Sequence, residues 1–430
     1  MTPERAGVGE LVLASLYLAP SAAREARLRE KAEAVADWDG ALVALEAHGV
    51  LGLAARNLAA AGARLPAAAA ERLATRARAM AARERAFVEL MVRILAAARA
   101  AGVRVTLLKG AALVPDLYPP GGLRAQGDLD LLVAPRDLPA LLAAARTAGL
   151  APPRGAFPGW WYRLAHYHRK LVPCDGTPLE VELHWHLHAP AHLYAVRGED
   201  LRARQRPVGA HPAFELERLD RFLHLATHLV RHCPLRGIAP ETLAAWAAEP
   251  RAPLRLKWLL DLAAEVERGH AELDPGALAA RAREWNAEQD LAEVLAALER
   301  LADLPEAARA WSARTRERLP PPPAPQTPVP ALREAPMAGL DLRPSALRAL
   351  GAWLWPPRAR CARLAPAGPA RLAWRLRHAG RAGAHAALVA LVTPLAWLAR
   401  TRRDPRAGLS AARAVAPGPG GGADAPLPDR

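Results

Sequence analysis

Asp128 and Asp130 stand two residues apart in GDLDLLV, and Glu180 and Glu182 repeat that spacing in LEVELHW. In an extended strand, side chains at i and i+2 leave one face roughly 7 Å apart, so each pair presents its carboxylates side by side. Two such groups repel unless something positive lies between them, so the pattern suits a bound cation. A D-x-D at the solvated start of a strand is the plainer reading. Upstream, the strand-like run VRVTLL stops at Lys109-Gly110, where a glycine can let backbone N–H groups approach a phosphate. His184, His186 and His188 alternate beyond Glu182 and share its face if the strand lasts that far, a set of imidazoles that could bind zinc. His224, His228 and His232 recur every four residues in LHLATHLVRH, along one side of a helix. That run lacks the glutamate of the metalloprotease motif H-E-x-x-H, so packing of the helix onto a core competes with acceptor-site chemistry.

The elements that must position these residues are legible from periodicity. A first strand ends at Lys109, and a second runs from Leu129 to Val133. Pro135-Arg136-Asp137 opens a helix that Gly149 stops, and a third strand covers Leu179 to Trp185. A strand, a helix and a returning strand make a crossover that is right-handed in nearly all cases. The third strand can therefore lie beside the second and carry Glu182 towards the Asp pair. Between helix and third strand, Phe157 to Gly176 holds Trp160, Trp161 and Tyr162, which read as a hydrophobic flap or as a surface that stacks on a base. Residues 1–100 carry apolar positions at helical spacing, such as Phe87, Leu90, Met91 and Ile94, with Trp38 as a core anchor. Leu254 to Gly269 is a further amphipathic helix bearing Lys257, Trp258 and Asp261, the last either a buried hydrogen-bond partner or a support for the site.

The order LKG-AAL, LYP, Arg124, GDLDLLV, a helix ending in glycine, then LEVELHW resembles an uncharacterised bacterial nucleotidyltransferase family of the polymerase-beta-like superfamily. Trp38 with LEAHGV, the histidines of LHLATHLVRH, and LKWLLDLA extend the resemblance over roughly residues 30 to 300. The resemblance implies an α+β fold, a small mixed β-sheet nucleotidyltransferase core with N-terminal and C-terminal helical regions. It also implies a metal-dependent enzyme that moves a nucleoside monophosphate from an NTP to an acceptor, a small molecule or a protein, releasing pyrophosphate. Carried over by position, Asp128, Asp130 and Glu182 would bind Mg2+ or Mn2+ and act in catalysis, with Glu180 the rival third ligand and Glu182 favoured because Leu-His-Trp follows it. Lys109 and Gly110 would lie in the nucleotide-cradling turn. Arg124 would neutralise a triphosphate or stand as a solvated loop arginine. The superfamily's usual Gly-Ser at the turn reads Lys-Gly here, which motivates the alternative of a nucleotide-binding scaffold without turnover. Two divalent ions about 3.5–4 Å apart can clamp the attacking and leaving oxygens of an in-line displacement, and Mg2+ takes oxygen ligands.

With 430 residues the chain has room for two or three domains. The expected divisions are an N-terminal helical cap (1–100), the transferase core (101–205), a helical domain (206–315), a Pro-rich linker (316–338), a basic helical appendage (339–403) and a disordered tail (404–430). The formal charge is +15, but residues 340–430 hold 15 Arg against 4 Asp, so +11 of it belongs to the C-terminal quarter. There Trp353, Trp355, Trp374 and Trp397 interleave with arginines, which fits a peripheral contact with anionic membrane or nucleic acid as well as an arginine-faced helix docked on the rest. Lysine occurs only at positions 31, 109, 170 and 257. In a chain that writes almost every cation as arginine, an ammonium at 109 is informative, because a compact flexible charge suits phosphate differently from a planar fork. Cys174, Cys233 and Cys361 form no C-x-x-C, which argues against a disulfide framework and fits a reducing cytoplasm. The longest apolar run, Ala386 to Ala399 interrupted by Pro394, falls short of the ~20 residues of a membrane span, so no transmembrane segment is expected.

Overall fold

The computed structural model describes residues 3–188, 194–208, 213–233, 235, 238–301, 303–320 and 369–403. Among these residues the chain forms 16 helices and one mixed sheet of 7 strands, the expected α+β class. Of the expected linker, Arg316 ends a helix and Leu319 is buried in the core, while its residues 321–338, the first part of the appendage with Trp353 and Trp355, Cys361, and the tail from 404 lie outside the described residues.

Five helices come first: α1 (Pro3–Ala14), α2 (Ala22–Ala34), α3 (Trp38–Ala47), α4 (Leu51–Ala60) and α5 (Ala67–Ala100). Each starts where the local chemistry permits. At α3, for example, the Asp37 carboxylate accepts a 2.7 Å hydrogen bond from the Gly40 N–H, satisfying an orphan donor of the first turn, and Trp38 turns inward. A core sheet follows, in the chain order β1 (Val105–Leu107), α6 (Lys109–Leu117), β2 (Asp128–Val133), α7 (Leu138–Thr147), β3 (Leu150–Ala151), α8 (Gly159–Ala165), β4 (His168–Pro173), β5 (Glu180–His184), α9 (Gly198–Arg204), β6 (Arg206–Pro207) and β7 (Phe214–Glu215). The helices α10 (Arg218–His232), α11 (Pro240–Ala247), α12 (Leu256–Gly269), α13 (Pro275–Trp285), α14 (Glu288–Leu301) and α15 (Glu306–Arg316) come next, and α16 (Pro369–Arg403) stands last.

The strand order is β3-β4-β5-β2-β1-β7-β6. β2 and β5 pair in parallel, as the crossover requires, with Asp128 opposite Glu180 and Asp130 opposite Glu182. β4 pairs antiparallel with β5, placing Lys170 opposite Glu182 and His168 opposite His184. Strand alternation then sorts the sheet into two faces. Leu129, Leu131 and Val133 join Phe87, Leu90 and Ile94 of α5 and Leu141 of α7 in one core. Leu132, of the same parity as Asp128 and Asp130, joins a larger core with Trp38, Phe222, Leu260 and Trp311. The acids therefore look towards α10 and α12, away from α5 and α7.

The structure departs from the sequence expectations at two places. The segment from Phe157 to Gly176 is more than a flap: α8 and β4 lie within it, and β4 became a strand because His168–Pro173 alternates against the paired β5. And β5 ends at His184, so His186 and His188 do not continue the Glu182 face. His188 instead packs against Tyr194, ring centroids 4.5 Å apart. The sheet also draws on β6 and β7, beyond residue 205.

Candidate active site

Three strands supply one row of polar groups: Asp130 on β2, Glu182 on the adjoining β5 and Lys170 on β4. One ligand atom from each of Asp128, Asp130 and Glu182 lies within 4.8 Å of the others, so the three acids expected to meet do meet. Glu180 is paired instead with Lys170, Oε2 to Nζ 2.6 Å, at the sheet's more exposed edge. Such proximity demands positive charge. Lys109 Nζ lies 2.8 Å from Asp130 Oδ1, His184 Nε2 lies 2.8 Å from the same oxygen and 3.2 Å from Glu182 Oε2, and Lys170 Nζ lies 3.2 Å from Glu182 Oε1.

The titration behaviour follows from these contacts. Burial alone would raise the Asp130 carboxyl, but the Lys109 charge and the His184 hydrogen bond outweigh it and hold the pKa well below the usual range. Glu182 behaves alike: burial opposes ionisation, the His184 hydrogen bond favours it, and the pKa comes to about 2. Asp128 moves the other way, raised first by the charge of Asp130 and then by burial. Burial disfavours a charged His184, yet its bonds to Asp130 and Glu182 raise its pKa. The donor set fits a hard dication, since every atom offered by Asp128, Asp130 and Glu182 is a carboxylate oxygen.

Lys109 begins α6 with φ +46°, a left-handed backbone that a residue with a Cβ adopts at a cost of about 1–2 kcal/mol. The strand-to-helix turn here is therefore strained, and its side chain is folded onto Asp130. Gly110 has a different local reason. A Cβ there would lie 2.2 Å from Gln126 Oε1 and 2.7 Å from Arg124 Nη1, so its hydrogen makes room for the loop ahead of β2.

Arg124 does not face solvent. Its guanidinium grips Asp261 on α12 with bonds of 2.6 and 2.7 Å, while the Tyr118 hydroxyl donates to the same carboxylate at 2.7 Å. All three groups are buried. Of the two readings of Arg124, burial rules out the solvated loop arginine, and the bidentate carboxylate partner gives this side chain a role in holding α12 to the loop before β2. It also answers the question left open for Asp261.

Two cations escaped the sequence reading. Lys170 sits on β4, which was read as part of a flap. Lys257 was placed on its helix without a role, yet the charges of Asp128, Asp261 and Asp130 all act on its ammonium, and burial, with Arg124 next, lowers its pKa to about 8. Its Nζ donates to the Ala125 carbonyl at 3.4 Å. Lysine scarcity was the available signal: of the positions 31, 109, 170 and 257, only Lys31 pairs elsewhere, with Glu10 and Glu30. On α10, His224 and His228 are buried, and burial, then the Lys109 charge, pushes both pKa values well down. His228 and His232 lie against the Trp258 ring at 5.2 and 5.1 Å.

Trp161 is committed to packing. It stacks on Phe157 at 4.5 Å, donates to Thr393 of α16 at 3.1 Å, and shares a cluster with Val389, Val392 and Ala396. A cavity of about 220 Å³ beside it is lined by Trp160, Tyr162, Arg169 and Trp185. Arg169 and Trp185 have the opposite strand parity to His168 and His184, so this cavity is not part of the acid site.

The family model described as uncharacterised nucleotidyltransferase matches residues 34–303 of the chain, a span that holds every residue of the site. Neither the curated proteins nor the solved structures include a match.

Proposed function

The chain belongs to that nucleotidyltransferase family, and from this premise we propose that it transfers a nucleoside monophosphate from an NTP to an acceptor hydroxyl or similar group. The observation that carries the reading is the β2–β5 register, which sets Asp130 opposite Glu182 with Asp128 beside them. Asp128, Asp130 and Glu182 would hold Mg2+ or Mn2+, whose charge would offset that gathering on the attacking and leaving oxygens. In the transfer, an acceptor oxygen bonds to the α-phosphorus, the bond to the β,γ-pyrophosphate breaks, and the acceptor proton goes to solvent. With a pKa of about 2, Glu182 suits a ligand better than a general base, which works best near the operating pH. Lys109 and Lys257, whose ammonium charges both act on Asp128 and Asp130, would supply positive charge to the phosphates.

The test is incorporation of labelled nucleotide from an NTP with Mg2+, against small-molecule and protein acceptors. Asp130→Asn is expected to lower incorporation by about two to three orders of magnitude, the scale of losing one preorganised electrostatic group. Full incorporation by that variant would remove the reading. One observation favours a second one, a nucleotide-binding scaffold without turnover. The Lys109 ammonium already lies 2.8 Å from Asp130, where it opposes a second cation. NTP binding by calorimetry, with no pyrophosphate released over the same acceptors, would select the scaffold.

A further inference from the structure

On the β4 side of Glu182 the donor chemistry changes from oxygen to nitrogen. His168, Glu182 and His184 each offer one ligand atom, all within 4.8 Å of one another, and all three are buried. The two imidazoles straddle the carboxylate: His184 Nε2 is 3.2 Å from Oε2, and His168 Nε2 is 3.7 Å from Oε1. The latter separation is too long for a hydrogen bond, yet both fall near the about 3.4 Å that separates neighbouring ligands of a tetrahedral ion bound at about 2.1 Å. Asp130 Oδ1, 2.8 Å from His184 Nε2, is the nearest fourth donor.

A hydrogen-bonded histidine pair is the competing account, and it covers His184 but not His168, whose Nε2 stops 3.7 Å from Glu182 Oε1. His168 and His184 are 8% and 3% exposed, so the space between the rings and the carboxylate is shielded from solvent. Lys170, the cation now on Glu182 Oε1, has a side chain 43% exposed and can swing aside.

We propose that His168, Glu182 and His184, with Asp130, form a second cation position that takes Zn2+ in preference to Mg2+. Two imidazoles and carboxylates select a borderline d-block ion, whereas Mg2+ takes oxygen. The site goes beyond the transfer reaction and shares only Glu182 and Asp130 with it.

The experiment uses the full chain stripped of metal by a chelator. Equilibrium dialysis is expected to show one Zn2+ retained against excess Mg2+. Co2+ in its place is expected to give the intense visible absorption of a low-coordinate nitrogen-ligated ion. His168→Leu should weaken Zn2+ binding on the order of a hundredfold, the upper end of what losing even a supporting hydrogen-bond partner costs a metal site, while Asp128→Asn retains it. Three results would each overturn the proposal: equal Zn2+ uptake by His168→Leu, loss of uptake in Asp128→Asn but not in His168→Leu, or the weak spectrum of oxygen-only octahedral Co2+ in the unaltered chain. The spectrum needs no variant, so misfolding of His168→Leu cannot leave the matter open. None of these results requires a nucleotide, so failure here leaves the Asp130→Asn test of nucleotidyl transfer intact, and the reverse also holds.

Discussion

Lys257 and Asp261 stand one helical turn apart on α12, and their charges do different work. Asp261 closes a buried pair with Arg124, and removing one member of such a pair strands the other. Asp261→Asn is therefore expected to lower stability by about 3–5 kcal/mol, read from urea denaturation, with a matching loss in Arg124→Leu. Lys257 has no carboxylate within a salt-bridge distance among the described contacts. Its ammonium feels Asp128 through space and remains available to an anionic ligand. Lys257→Met is expected to raise KM for the NTP about tenfold or more, the worth of a charge-assisted hydrogen bond, and to change kcat less. Steady-state kinetics over a range of NTP concentrations separates the two effects. The strained φ of Lys109 and the buried fate of Arg124 could not be seen in the sequence, because both depend on what faces the residue after folding.

At the scale of elements, the register of three strands makes the site. A one-residue slip of β5 against β2 would send Glu182 to the other face, into the core of Leu129, Leu131 and Ile94, so apolar packing on one face enforces acidic clustering on the other. The same register has a consequence for pH. Glu182 has its pKa lowered from 4.5 to about 2, so it binds fewer protons folded than unfolded in that interval. The stability it contributes is present above about pH 4.5 and lost as the pH falls towards about 2. In metal-free protein the melting temperature should fall steeply through this window, and Glu182→Gln should flatten that part of the curve. Melting curves at closely spaced pH values check both. Strands β1, β2 and β5 and helix α7 were legible from alternation and caps. β4 was not, because HRKLVP follows three aromatic residues and reads as part of a hydrophobic flap until β5 pairs with it.

The whole molecule brings its N-terminal helices to the site. Gly49, after α3, has φ +74° and would place a Cβ 2.8 Å from the Lys257 side chain. The Gly49 carbonyl accepts from Ala125 N–H at 3.0 Å, and the His48 carbonyl accepts from Lys257 N–H at 3.3 Å. The LEAHGV segment thus seats α12 and its lysine beside the acids, and a single core runs from Val8 to Leu319. At the other end, Leu376–Ala399 within α16 is long and apolar enough to cross a membrane by length and composition, where the sequence reading stopped at the unbroken run and at Pro394. The proline sits inside the helix without ending it. One side of α16 packs on α8 through Val389, Val392 and Ala396, and Leu391, Leu395, Trp397 and Leu398 stay exposed. The expected anionic contact of residues 339–403 can be checked there. The chain should sediment with vesicles of anionic lipid at low salt, less at high salt, and less again in Leu391→Glu with Leu395→Glu; sedimentation unaffected by salt and by these changes would exclude it.

By itself, the sequence determined the alternation that aligns Asp128 with Asp130 and Glu182 with His184, because parity along a strand is a local property. It also indicated that β5 lies beside β2, although the connection holds β3, α8 and β4 as well as the expected helix, and β5 arrives as the antiparallel partner of β4. Tertiary structure alone decided which cation met which acid. Arg124 turned to Asp261, Lys109 and Lys257 approached the carboxylates, and His168 joined from an unforeseen strand. The reason is physical: long charged side chains choose partners by distance and burial, and both are set only when separate elements pack.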